Sequence, residues 1–265
     1  MMLIDLIKKK VILSIARVDS SKNLLFWLFL TMALASSSSV IARETGRVAK
    51  VVDGDTVVLA SGEKVRLLSI NAPEIGYRGE IGEPGGYLAK KQLQELVLGQ
   101  FVYLEHDVEL ADHYGRTLAH LFLKNGRHIN REMIRAGLAI LSLHPPNLKY
   151  IEELQAAQRY AEKKHSGIWQ LKAYQVKSVA AIATTAAKKW GRFEGQIKAI
   201  QHSRKGTKLY FYNRVYIWIA KKDLKYFKHL NRYNRRLVEV RGWPEERGGQ
   251  WSVKARHPSQ IILKP

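Results

Sequence analysis

From residue 46 onward the apolar residues recur with period two, in runs too short for anything but small strands. "GRVAKVV" (46–52), "DTVVLA" (55–60) and "EKVRLLSI" (63–70) each alternate, and Asp53-Gly54 and Ser61-Gly62 punctuate them. A helix fits 86–98, with Leu88, Leu93, Leu96 and Val97 on one side and Gly99 as its stop. Strands return at "QFVYLEHD" (100–107) and "RTLAHLFL" (116–123), and Asn125-Gly126 supplies a tight turn. A helix over 130–137 takes Asn130 as cap and Gly137 as stop, and a longer one, about 147–165, leads into "SGIW". Five short strands with interleaved helices predict a small barrel closed by helices, an OB-like α+β arrangement over 46–170.

The charge pattern predicts a second module. The chain of 265 residues has no cysteine, which excludes a disulfide scaffold and a thiolate zinc site, and its formal charge is +21. Such an excess selects polyanionic partners, nucleic acid or an anionic membrane surface. The excess is uneven: residues 46–170 hold 16 basic and 15 acidic residues, and residues 193–265 hold 17 and 5. Between them, residues 171–192 carry Ala, Thr and Lys without acid and read as a linker. From 193 the period-two pattern resumes through "TKLYFY", "VYIWIA", "RLVEVRGW" and "QIILK", which predicts a small all-β, OB-like barrel.

Residues 1–42 read as an export signal or N-terminal anchor. Lys8, Lys9, Lys10, Arg17 and Lys22 precede the apolar run "LLFWLFLTMALA" (24–35), and Val40 and Ala42 suit the cleavage positions. Twelve apolar residues fall short of a hydrocarbon core of about 30 Å. The expectation is export across the inner membrane, to a secreted, periplasmic or membrane-anchored destination. An anionic membrane surface enters as a partner only through this leader.

Three clusters could carry chemistry: "DGDT" (53–56), "RLLSINAPE" (66–74) and "DHYGR" (112–116). Each alone also reads as an ordinary turn, edge residue or surface acid. Together they supply carboxylates, one amide and two arginines at strand ends, an inventory suited to phosphodiester hydrolysis. In order and spacing they resemble the thermonuclease (staphylococcal-nuclease-like) family over about 46–170, including the closing "GIW". The resemblance implies an OB-fold endonuclease that uses one divalent cation, Ca²⁺, on DNA and RNA. It implies Asp55, Asn71 and the carbonyl of Ala72 as metal ligands, with Asp53 supporting them. Arg66 and Arg116 would clamp the scissile phosphate, Glu74 would be the general base, and Tyr114 would lie beside the nucleotide. The family's typical member has an aspartate at the position of Asn71, so this chain keeps an oxygen ligand there but loses a charge, which weakens Ca²⁺ binding. "LSLHPPN" (141–147) also lacks the family's base-stacking tyrosine. His106, His113, His120 and His128 are assigned no role.

In the second module, Val215, Ile217 and Ile219 share one strand face and Tyr216 and Trp218 the other, flanked by Arg204, Lys205, Lys208, Lys221, Lys222 and Lys225. Aromatics inside a basic rim suit stacking on single-stranded nucleic acid, and the alternative is that they fill a barrel interior. The leading expectation is an exported, monomeric, metal-dependent endonuclease whose basic module holds the strand. The rival is a degenerate nuclease fold that binds nucleic acid without cutting.

Overall fold

A computed structural model describes residues 44–76, 81–183 and 189–265, and the N-terminal leader lies outside them. Arg43–Pro265 forms one compact unit. Strands β1 (Glu44–Val51), β2 (Thr56–Leu59) and β3 (Lys64–Leu67) form a meander, followed by the short β4 (Ile70–Asn71). Helix α1 (Gly86–Val97) precedes β5 (Phe101–Glu105) and β6 (Thr117–Leu123). The barrel closes in the order β1-β2-β3-β6-β5, the expected five-stranded architecture. Its seam pairs β3 and β6 in parallel, with Arg66 opposite Leu118. That pairing sets Arg66 beside the segment that follows Arg116.

Alternation explains the core. Val48, Val57, Val65, Leu67, Val102, Leu104, Ala119 and Leu121 point inward and are buried. Each Val or Leu among them contributes on the order of 1.5–3 kcal/mol. Helix α1 covers the barrel with Ala89, Leu93 and Val97, spaced four apart. Leu88, expected on this face, is instead exposed, because the Asp53–Asp55 turn lies against Ala89. A Cβ at Gly54 would come within 2.5 Å of the Ala72 Cβ and 2.6 Å of the Ala89 Cβ, so only glycine fits there.

Helix α2 (Ile129–Arg135) follows β6, then come β7 (Ile140–Leu141), paired with β4, and α3 (Ile151–Lys163). Asn130 does not cap α2. It sits inside the helix, where its carbonyl accepts from the Leu121 N–H and its amide donates to the Leu68 carbonyl. Those two bonds tie β6 to the turn after β3, and a buried amide with both ends satisfied gains more there than at a solvated helix end. Gly137 ends the helix at φ 70° as expected.

The stretch read as a linker carries regular structure. Turns of 3-10 helix at Lys172–Tyr174 and Val179–Ile182 flank β8 (Val176–Ser178), and Tyr174 and Ile182 are buried. The remaining strands are β9 (Gly191–Gln196), β10 (Ala199–Ser203), β11 (Gly206–Tyr212), β12 (Val215–Ala220), β13 (Leu237–Gly242), β14 (Pro244–Arg247), β15 (Gln250–Lys254) and β16 (Ile261–Leu263). They make a five-stranded sheet, β10-β11-β12-β15-β14, and a four-stranded sheet, β16-β13-β9-β8, around a core of Phe193, Leu209, Ile217, Val240 and Val253.

Two features bind these sheets to the barrel. Trp169 and Tyr174 belong to a small apolar cluster that Trp190 and Trp243 pack against. Beside it, the fully buried Glu239 accepts from Arg192 Nε, Arg241 Nε and Lys264 Nζ, each at 2.7 Å. Arg241 then forks onto Glu162 of α3 at 2.6 and 2.8 Å. Burial raises the Glu239 carboxyl, but the Arg192, Arg241 and Lys264 partners outweigh it and hold the group down at about 2. Removing one member would strand buried charge, at a cost of about 3–5 kcal/mol.

Candidate active site

Asp55 begins the site. It lies just ahead of β2, buried, and its backbone N–H donates to Asp53 Oδ1 at 2.9 Å, which shapes the turn. Its carboxylate accepts from the Ala72 N–H at 2.7 Å and from the Thr56 hydroxyl at 3.1 Å. Arg66 Nη2 is 3.0 Å from Asp55 Oδ2 and also donates to Asn71 Oδ1 at 3.2 Å. Arg66 Nη1 donates to the Leu67 carbonyl at 2.7 Å, which locks the fork at the end of β3. Asn71 completes the ring by donating Nδ2 to the Ala72 carbonyl at 3.2 Å. Burial, opposed by Arg66 and reinforced by Asp53, pushes the Asp55 carboxyl up to about 7.

Glu74 stands on a clasped loop. Its carbonyl accepts from the Glu83 N–H at 2.8 Å, and its N–H donates to Glu83 Oε2 at 3.1 Å. A Cβ at Gly86 would meet the Glu74 carbonyl at 2.5 Å, so the start of α1 seats this loop. The Glu74 carboxylate keeps an exposed edge, yet desolvation of the rest raises it above the ordinary range. Asp53 and Glu83 raise it further, while Arg66 and Arg116 oppose them. Glu74 thus feels charges that come from all three sequence clusters.

Arg116 reaches the site from the loop before β6. Asp112 holds it, accepting Nε at 2.8 Å and Nη2 at 2.7 Å, and also accepts the Tyr114 and Arg116 backbone N–H groups. These bonds and the Arg116 charge keep the Asp112 carboxyl low against partial burial. Tyr114 is exposed, its ring 5.5 Å from the Arg116 guanidinium carbon. Arg66, Asn71, Asp112 and Arg116 line one cleft of about 540 Å³. Tyr216 and Trp218 lie outside it, half-exposed on the outer face of the five-stranded sheet, while Val215, Ile217 and Ile219 fill the interior.

Asp112 and Thr56 carry no role in the sequence reading, although both sit in the quoted clusters. The spacing of Asp112 to N–H groups two and four residues on is the mark of a side-chain-capped turn and could have pointed to it. Among the described residues no three His, Asp or Glu side chains gather at metal-binding distance. The oxygens near Arg66 that could take part in holding a cation are those of Asp53 and Asp55, the Asn71 amide oxygen and the Ala72 carbonyl, of which the Asn71 and Ala72 oxygens already accept hydrogen bonds. His120 and His128 are buried and bond to each other at 3.1 Å, in a packing role beside Phe122 and Tyr150.

The family model for staphylococcal nuclease homologues matches residues 64–171, ending before β8 and the C-terminal sheets. The thermonuclease of Staphylococcus intermedius is 35% identical over 137 residues, spanning 51% of this chain and 81% of that protein. The thermonuclease of Staphylococcus hyicus is 33% identical over 130 residues, 48% of this chain and 76% of its own length. The endonuclease YhcR of Bacillus subtilis is 32% identical over 136 residues, 47% of this chain and 11% of that longer protein. The barrel's strand order, the two arginines converging on one cleft and these identities agree: the chain belongs to the staphylococcal nuclease homologue family.

Proposed function

We propose that this protein is an exported, divalent-metal-dependent endonuclease that hydrolyses phosphodiester bonds of DNA and/or RNA, with its C-terminal sheets holding the strand. The observation that carries this reading is that Arg66 and Arg116, from separate parts of the chain, line one cleft, with Asp55 3.0 Å from Arg66 and Glu74 within electrostatic reach of both arginines. The relatives named thermonuclease and endonuclease support the activity, and the leader's pattern supports export.

The donors around Asp55 fit a hard cation: every one is an oxygen, and a buried carboxylate with a single guanidinium partner gains from added positive charge. Asp53, Asp55, Asn71 and the Ala72 carbonyl would hold it, and Ca²⁺ is the ion we assign. When bound, such an ion polarises the phosphate and lowers the pKa of water. The chain's own residues do the rest. Arg66 and Arg116 receive phosphate oxygens on their forks and stabilise the charge that builds in the transition state. Asp55 and Asp112 fix those forks in advance, so little reorganisation accompanies the reaction. Glu74 takes the proton of the attacking water at its exposed carboxylate oxygen, and its raised basicity suits that task.

One observation favours a second reading. Asn71 points its oxygen at Arg66 and adds no negative charge, which suits a metal-poor protein that grips nucleic acid without cutting. Plasmid degradation by the full chain, with added Ca²⁺ and with chelator, decides between them. Cutting that needs the cation is the expected result, and intact plasmid at saturating Ca²⁺ would select the binder.

A further inference from the structure

The far wall of the catalytic cleft does not come from the nuclease barrel. Lys222, from the turn after β12, and Arg256, just past β15, line the same cleft as Arg66, Asn71 and Arg116. Arg256 also lines a second depression of about 290 Å³ on the five-stranded sheet, shared with Lys208, Tyr216, Trp218 and Lys254. Glu245 and Arg247 edge that depression, paired to each other at 3.2 Å.

Strand register builds this second surface. Trp218 lies opposite Lys208 on β11 and Lys254 on β15, and Tyr216 lies opposite Tyr210 and Ser252. Alternation sends all of them outward together. Lys208 Nζ stands 4.3 Å from the centre of the Tyr216 ring, and Tyr210 and Tyr216 are 5.3 Å apart. Arg256 is the hinge between the two surfaces. The Glu239–Arg241–Glu162 bridge and the Trp169 cluster hold the sheets against α3, so the juxtaposition is built into the fold.

We propose that the catalytic cleft is composite, and that a continuous cationic path through Arg256 and Lys222 leads a single strand from Tyr216 and Trp218 to Arg66 and Arg116. The substrate class that fits is single-stranded nucleic acid long enough to occupy both surfaces, on the order of 4–16 nucleotides. This rests on the nuclease reading and narrows its substrate. Half-exposed rings offer π-faces that unstacked bases can cover, whereas a duplex keeps its bases stacked inside. Crowding of like charge supports the same path. Burial, Arg256 and Lys222 all depress the Lys254 ammonium, with Asp223 and Glu245 opposing them. A phosphate backbone laid along this path would offset the repulsion between Arg256, Lys222 and Lys254.

The test uses the full chain and the Trp218→Ala and Arg256→Ala variants, with Lys222→Glu as a third on an exposed turn. Binding of a fluorescein-labelled 20-nucleotide single strand and of the matching duplex is read by anisotropy in chelator, where nothing is cut. Cleavage of the single strand and of a p-nitrophenyl thymidine phosphodiester is read separately with Ca²⁺. The proposal expects each variant to weaken single-strand binding about tenfold or more, and the duplex far less. It also expects the loss of kcat/KM on the 20-mer to exceed that on the small diester at least tenfold. Equal losses on strand and duplex, or on 20-mer and diester, overturn it. If the parent chain cuts nothing while the variants still lose single-strand binding, the nuclease reading fails and the path stands.

Discussion

The barrel and the C-terminal sheets treat charge in opposite ways. In the barrel, near neutrality in net charge goes with pairing: Arg66 is tied to Asp55, and Arg116 to Asp112, at about 3 Å or less. In the sheets, the buried Glu239 is paired with Arg192, Arg241 and Lys264, whereas Lys208, Lys222, Lys254 and Arg256 face cleft or depression. Paired, immobile cations serve chemistry, because their geometry is set before the substrate arrives. Cations left in solvent serve affinity, because they exchange small counterions for phosphates. On the proposed reading, the two regions thus divide rate from holding.

Substitution in the barrel should break this division most visibly. Arg116→Ala is expected to lower cleavage by about 10³-fold or more, as loss of a transition-state cation does, while single-strand affinity falls only a few-fold. Stopped assays of kcat paired with anisotropy check it, and a matched fall in both would erase the contrast. Next in size, Asn71→Asp should lower the Ca²⁺ concentration for half-maximal cutting by about tenfold, since affinity follows ligand charge. A titration that does not move would remove Asn71 from the donor set.

In the sheets the expected effects are smaller and depend on salt. Lys208→Ala should reduce the slope of log affinity against log salt by about 0.7 for a single strand, one phosphate contact's worth. An unchanged slope would take Lys208 off the strand's path. Acid stability separates the regions most weakly. Glu239, held at about 2 when folded against an ordinary 4.5, contributes stability above pH 4.5 that is lost as pH falls toward 2. His120 in the barrel is lowered to about 3 by burial and by His128, so protonation of the unfolded chain draws stability away from about pH 6.5 downward. Compared with the parent in thermal melts, His120→Leu should therefore lose less stability as pH falls from 6.5, and Glu239→Gln less below 4.5.

Much of the barrel is legible from pattern alone, because period-two alternation and glycine turns report which face is buried. Helix α1 was legible in extent but not in rotation, since Leu88 looks as apolar as Leu93 until the Asp53–Asp55 turn occupies the space beside Ala89. Asn130 carried a cap signal by type, yet two backbone partners, one on β6 and one in the turn after β3, claimed it. The stretch 171–183 looked featureless because Tyr174, Val179 and Ile182 are spaced for 3-10 turns and a two-sided cluster, a pattern no helix or strand period detects.

The order of residues by itself determined the alternation that makes a barrel, the motif set at its strand ends and the charge contrast between the halves, since each is a local or additive property. Only the tertiary structure decided that Tyr216 and Trp218 would face outward, and that Arg256 would line the same cleft as Arg66. Those depend on register and on a buried bridge between residues 79 apart, and such long-range pairings leave no periodic trace in the chain.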